Sequence, residues 1–258
     1  MTIDQPLRPD DFTSCGDSKE TSLVGSSAPI SIYFWLVYID FHTHQHPGQG
    51  AYRVFNLPAH ASPKVPGSSV GIHPYWLETH DVETLKLWVK STLENKEIVA
   101  IGECGIDKRL TTHLADQTNI LNLHIQWAQA YHKPLIIHCV KGHQEVLEAL
   151  KKANLQEPVI FHGFRGSEQL AWQLIDKGYY LGIGDMQGKP SLQQLARTLP
   201  LGHLVLETDD SAASIESVYQ SVCEMRGITI DSLKKAMMET AMVIFGNQIN
   251  STYGFELA

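Results

Sequence analysis

Five short apolar runs in this chain each lead into a residue that can ligate a metal ion. The first, Ile30 to Ile39, leads into Asp40-Phe41-His42-Thr43-His44. Read as a strand, its side chains alternate between faces, so His42 and His44 project to one side and Thr43 to the other. Two imidazoles at the end of one strand can share one metal ion. Four later runs repeat the arrangement. Glu97 to Gly102 precedes Glu103, Pro134 to Ile137 precedes His138, and Pro158 to Phe161 precedes His162. His203 to Leu206 runs into Glu207-Thr208-Asp209.

Helical patterns separate most of these runs. Residues 81–95 carry Leu85, Trp88, Val89 and Leu93 near helical spacing, with Asp81 as a cap. Further helices are expected over 115–132, 144–153, 168–177, 191–198, 213–226 and 231–245. Strands over 52–57, 69–72 and 179–183 complete a set of eight. Eight strands mostly alternating with helices describe an α/β fold of the TIM-type (β/α)8 barrel, whose sites lie at the C-terminal ends of its strands. The links between strands 1 and 3 are too short for a full helix each, so one or both crossovers are reduced. Residues 1–28 are rich in Ser, Thr, Asp, Gly and Pro and are expected to form a disordered tail. Residues 29–258 are expected to form a single barrel.

The formal charge of −8 opposes broad adhesion to nucleic acid or anionic lipid. No helix carries a basic stripe, which argues against a duplex-binding module. A phosphate substrate held through metal ions is compatible with that charge. Thirteen histidines is a high count for 258 residues and raises the expectation of a metal site. The four cysteines, Cys15, Cys104, Cys139 and Cys223, lack close pairing and read as reduced thiols of a cytoplasmic protein. Strand alternation turns Cys104 and Cys139 away from Glu103 and His138. Ile30 to Ile39 is too short to span a membrane and lacks a basic segment before it. No stable protein partner is implied.

His42, His44, Glu103, His138, His162 and Asp209 are therefore the candidate metal ligands. Four imidazoles and two carboxylates suit Zn²⁺ and Mn²⁺. Glu103 stands between the two histidine pairs in strand order and is expected to bridge two ions. Such a pair, about 3.5–4 Å apart, can polarise a phosphoryl or carbonyl oxygen and activate water. Asp209 is expected to ligate the first ion and to take the proton from the attacking water. Each residue also has a plainer role: Glu103 could pair with Lys108 or Arg109, and Asp209 could cap the next helix.

Six stretches together resemble the TatD-related metal-dependent deoxyribonucleases, within the amidohydrolase-like barrels. They are Asp40-Phe-His-Thr-His44, Gly71-Ile-His-Pro74, Ala100-Ile-Gly-Glu-Cys-Gly-Ile-Asp107, Pro134-Leu-Ile-Ile-His138, Phe161-His-Gly-Phe-Arg-Gly166 and Leu206-Glu-Thr-Asp209. The resemblance implies His42, His44, Glu103 and Asp209 on one ion, and Glu103, His138 and His162 on the other. It also implies hydrolysis of phosphodiester bonds, with DNA as substrate and Mg²⁺ or Mn²⁺ in solution. Some residues depart from the family pattern. Cys139-Val140-Lys141 follows His138 where an Arg is frequent, and Asp210-Ser211 follows Asp209 where Ala or Ser and then Pro is usual. His73, Lys141 and Arg165 are the candidate substrate-binding residues, with His143 and Trp76 as weaker ones. The alternative is a hydrolase of an ester, amide or lactone on the same barrel, because fold does not fix chemistry. A third reading is a metal-binding protein without catalysis.

Overall fold

A computed structural model describes residues 37–46 and 50–246. The expected tail, 1–28, lies outside these residues, as do positions 30–36 of the first apolar run. Eight strands form one sheet in chain order, every neighbouring pair parallel. They are β1 (Tyr38–Thr43), β2 (Ala51–Asn56), β3 (Ser68–Val70), β4 (Ile98–Asp107), β5 (Leu135–Val140), β6 (Val159–Phe161), β7 (Tyr180–Ile183) and β8 (Leu204–Leu206). A bridge between Thr43 and Asp209 joins the last strand's extension to the first, and the sheet becomes a barrel. The expected (β/α)8 architecture is therefore present.

The crossovers follow from the helical patterns. α1 (Trp76–Thr79) and α2 (Val82–Thr92) link β3 to β4, and α3 (Leu114–Tyr131) links β4 to β5. α4 (His143–Ala153), α5 (Glu168–Ile175) and α6 (Pro190–Thr198) serve the next three connections, with a 3-10 turn (Leu201–His203) before β8. α7 (Ile215–Arg226) and α8 (Ile230–Phe245) close the chain. Among the described residues no helix separates β1, β2 and β3, as the short links required. α1 was not legible, because a four-residue turn shows no period. Helix starts are set by side-chain caps: Asp81, Ser167, Ser214 and Thr229 each accept a backbone N–H three residues on. Among the described residues no helix is long and apolar enough to cross a membrane.

One strand runs longer than expected. β4 continues through Glu103 to Asp107 instead of stopping at Gly102. Gly102 and Gly105 both have positive φ, and a Cβ on either would overlap the β5 backbone at Ile136 or His138. Two glycines thus let β4 bend and stay pressed against β5. All ten β4 residues are buried.

The seam between β8 and β1 is built largely from side chains. The Tyr219 hydroxyl, on α7, accepts from Ile39 N and donates to Ile39 O, both at 3.0 Å. It satisfies backbone groups that β8 does not reach. Above it, the buried Asp40 carboxylate accepts from Thr208 N (3.0 Å) and Thr208 Oγ1 (2.7 Å). Burial pushes the Asp40 carboxyl up to about 6, against the pull of Thr208. Tyr219→Phe keeps the ring but orphans both Ile39 groups. It should cost about 1–3 kcal/mol, seen as a melting temperature several degrees lower. An unchanged melting curve would mean the seam holds without that hydroxyl.

Candidate metal centre

The six expected ligands converge at the C-terminal mouth of the barrel. His44 and His162 lie one residue past β1 and β6, and Asp209 lies three past β8. His42, Glu103 and His138 lie inside their strands rather than beyond them. For Glu103 the reason is the glycine-bent extension of β4. Its backbone N–H donates to Asn56 Oδ1 at 3.0 Å, which ties β4 to β2 at that point.

Asp209 is placed by its backbone. Its N–H donates to His42 O (3.0 Å), and its own carbonyl accepts from His44 N (3.1 Å). These bonds hold it at φ 53°, a left-handed conformation that Asp tolerates better than most residues. The carboxylate is thereby set beside the β1 imidazoles.

Glu103 divides the site in two. Its Oε2 lies 3.6 Å from His42 Nε2 and 3.3 Å from His44 Nε2. Asp209 Oδ1 lies 3.7 and 3.6 Å from the same two nitrogens. Donors about 2.0–2.2 Å from one tetrahedral ion sit roughly 3.4 Å apart. The four atoms match that spacing. Glu103 Oε1 faces the other way, 2.9 Å from His138 Nδ1 and 2.8 Å from His162 Nε2. Both nitrogens of His42 and Nδ1 of His162 are buried without a hydrogen-bond partner, and His162 Nε2 faces the Glu103 carboxylate. Buried polar atoms rarely stay unpaired, and a cation at each donor set would satisfy one nitrogen of each ring. The residues present therefore fit divalent ions.

The electrostatics agree. Burial pushes His42 down to about 4, with the His162 charge adding to the effect, so its ring is neutral at pH 7 with a free lone pair. Burial alone would raise Glu103. His162 and His138 outweigh it and hold the carboxyl well below the usual range. His162 moves the opposite way, raised to about 9: burial lowers it, and the Glu103 carboxylate more than compensates. An ion at this ring would displace a proton.

The plainer roles are taken by other residues. Arg109 forks onto Asp107 (Nη2–Oδ2 2.6 Å), and Lys108 pairs with Glu145 (2.6 Å), so neither neutralises Glu103. Ser214, not Asp209, caps α7. Cys104 is buried, with its Sγ 3.8 Å from Ile136 O on β5, and burial pushes its thiol far above the usual range. Cys139 is pushed up to about 12, again by burial. Cys104 thus faces β5 rather than the ligands, as strand alternation required, whereas the half-buried Cys139 is among the residues lining the cavity beyond β5.

His73 also faces the second donor set, its Nε2 3.3 Å from Glu103 Oε1. Its Nδ1 accepts from Tyr75 N–H at 3.1 Å. A neutral ring accepting at Nδ1 carries its proton on Nε2. His73 therefore presents a donor to the site rather than a lone pair. The buried His124 holds this turn by accepting from Ile72 N–H at 2.9 Å.

Three residues escaped notice as parts of the site. Asp107 Oδ2 lies 3.2 Å from His138 Nε2. Burial would raise this carboxyl, but the Arg109 fork and His138 hold it well below the usual range. As an ionised acceptor it fixes the His138 proton on Nε2 and frees Nδ1 toward Glu103. The signal was available, since 103, 105 and 107 share one face of a strand. Asn56 ends β2 as Glu103 lies on β4, and nothing local marked it. Glu207 is buried, accepts from Gly163 N at 2.5 Å, and is pushed up to about 8 by burial despite nearby His162.

Three cavities open around Asp209. One of about 430 Å³ is lined by Asn56, Pro58, His73, Trp76 and the ligand cluster. A second, about 540 Å³, lies between the β5–α4 and β6–α5 turns and carries Lys141, His143 and Arg165. The third, about 320 Å³, carries Arg165, Asp185, Lys189 and Asp210. The three candidate substrate-binding residues thus line cavities that share Asp209.

Comparison with known proteins agrees with this geometry. The family model described as TatD related DNase matches residues 49–246. An uncharacterized metal-dependent hydrolase of Haemophilus influenzae is 27% identical over 200 residues, 68% of this chain and 76% of that protein. The 3'-5' ssDNA/RNA exonuclease TatD of Cronobacter turicensis is 32% identical over 148 residues, 55% of this chain and 56% of its own. The crystal structure of YjjV, a TatD homolog from Escherichia coli, superposes with a TM-score of 0.69 at 23% identity, covering 82% of this chain and 98% of that one. The family match begins after His44, so the β1 histidines rest on their own geometry. The chain belongs to the TatD-related DNase family and is a metal-dependent hydrolase.

Proposed function

We propose that this chain is a two-metal phosphodiesterase acting on DNA, as an exonuclease on strand ends or single strands. The observation that carries the reading is the Glu103 carboxylate, whose two oxygens face two separate donor sets. His42, His44, Glu103 and Asp209 would hold one divalent ion; Glu103, His138 and His162 would hold the other. Zn²⁺, Mn²⁺ and Mg²⁺ are the ions in question. Bound there, they would polarise the scissile phosphoryl group and lower the pKa of water.

The chain's own residues do the rest. Asp209 turns Oδ1 to the β1 imidazoles, and Oδ2 lies toward Gly163, 3.9 Å from where a side chain there would begin. That oxygen takes the proton from attacking water. His73 donates its Nε2 proton to a phosphoryl oxygen. Lys141 and Arg165 draw substrate to the mouth. The exonuclease name of the Cronobacter relative supports the substrate class. On this reading residues 29–258 act as one hydrolase barrel. The three described cysteines are unpaired, in keeping with a cytoplasmic site of action.

The test is hydrolysis of a 5′-labelled single-stranded DNA oligonucleotide with Mg²⁺ or Mn²⁺. The protein should give a ladder of shortened products, and Asp209→Asn should lose about 10²-fold or more in rate. Full activity in the variant would remove Asp209 from the role of base. No cleavage of DNA, together with turnover of an ester, amide or lactone, would replace the phosphodiesterase reading with that of another hydrolase on this barrel. A second test addresses the His138 ion. Asp107→Asn should weaken its binding about 10–100-fold in a Mn²⁺ titration while the ion at His42, His44 and Asp209 is retained. Equal affinities in variant and parent would release Asp107 from that role.

A further inference from the structure

The cationic cavity between the β5–α4 and β6–α5 turns is larger than the scissile bond needs. The chain has 28 acids against 20 lysines and arginines. Most described cations near the site are neutralised: Arg109 by Asp107, Lys108 by Glu145, and Lys189 by Asp185. Lys141 and Arg165 differ. Among the described residues, neither has a carboxylate within 4 Å or a hydrogen-bond partner. Both are exposed and both line this one cavity. Asp209 is the sole acid in its lining. The amides of the first turn of α4 add to the same field, because Gly142 provides no side-chain cap there.

The other two cavities at Asp209 have a different character. The one beside Trp76 holds no lysine or arginine and offers Pro58, His73 and an indole face. That chemistry suits a nucleoside, whose base can stack on the aromatic ring. The third contains Asp185 and Asp210 beside Asp209, its Lys189 is engaged by Asp185, and it shares Arg165 with the cationic cavity. Three carboxylates against that one shared guanidinium make it the less favourable course for a phosphate. A strand laid across the metal centre therefore has one favourable course. Its terminal nucleoside enters the Trp76 cavity, the scissile phosphate lies at Glu103 and Asp209, and the chain continues into the cationic cavity.

We propose that Lys141 and Arg165 bind a second phosphate, one nucleotide beyond the scissile bond on the side away from the Trp76 cavity. The inference rests on the phosphodiesterase reading. It narrows the substrate class to oligonucleotides that carry at least two phosphates. Neither cation touches a carboxylate of the ligand cluster, so both are placed to meet a charge other than the one held by the ions. Lys141 reaches the cavity rim through a left-handed backbone (φ 56°). A lysine and an arginine together supply charge-assisted hydrogen bonds to phosphate oxygens.

The experiment compares three thymidine dinucleotides on Mn²⁺-loaded protein: unphosphorylated, 5′-phosphorylated and 3′-phosphorylated. One phosphorylated form should show a KM about ten-fold or more below that of the unphosphorylated dinucleotide. Which one it is reports the direction of the strand. The advantage should shrink as salt rises. In the double variant Lys141→Gln, Arg165→Gln the ratio of the two KM values should fall close to one. Because both side chains are exposed, an unchanged melting curve will show that the variant folds. Equal KM values for all three dinucleotides in the parent would overturn the second-phosphate site and leave the phosphodiesterase reading standing. An advantage that survives in the double variant would overturn the assignment to these two residues. No hydrolysis of any dinucleotide by protein shown to hold metal would overturn the phosphodiesterase reading and this inference with it.

Discussion

A buried carboxylate is expensive unless cationic or donor groups surround it. Glu103 is such a group, 4% exposed at the centre of the barrel mouth. His42, His44, His73, His138 and His162 all lie within 3.6 Å of one of its two oxygens. Most of the local architecture can be traced to keeping that group in place. Gly102 and Gly105 let β4 carry Glu103 past the bend. Asn56 pins its backbone from β2, and the left-handed Asp209 closes the ring from β8.

The histidines are differentiated by what stands behind them. Asp107 holds the far nitrogen of His138, so a lone pair faces Glu103. Tyr75 donates to the near nitrogen of His73, so a proton faces the same oxygen. Two imidazoles at similar distances from one carboxylate therefore offer opposite chemistry: one can ligate and the other can donate. Residue type alone does not separate them. The backbone of the His73-Pro74-Tyr75 turn and the parity of Asp107 with Glu103 do.

The sequence was most legible where periodicity and chemistry coincide. Apolar runs ending in His42, His138, His162 and Asp209 located both the barrel and the residues that meet in space. It was less legible where tertiary contact decides. The length of β4 depends on how closely β5 approaches, which no local pattern records. The Tyr219 latch on Ile39 joins residues 180 apart in the chain. His73 was expected at a phosphate, and its spacing said nothing of its place beside Glu103. Asp107 lies four residues beyond Glu103, and a strand's period of two already puts the pair on one face. The plainer pairings of Glu103 with Lys108 or Arg109 failed because each base meets another acid, Glu145 on α4 and Asp107 at the end of β4.

The central claim is that Glu103 bridges two ions. Anomalous diffraction from crystals soaked in Mn²⁺ tests it most directly. The account predicts two peaks about 3.5–4 Å apart, one beside His42, His44 and Asp209 and the other beside His138 and His162, with a Glu103 oxygen on each. A single peak, or two peaks that Glu103 does not join, would contradict it.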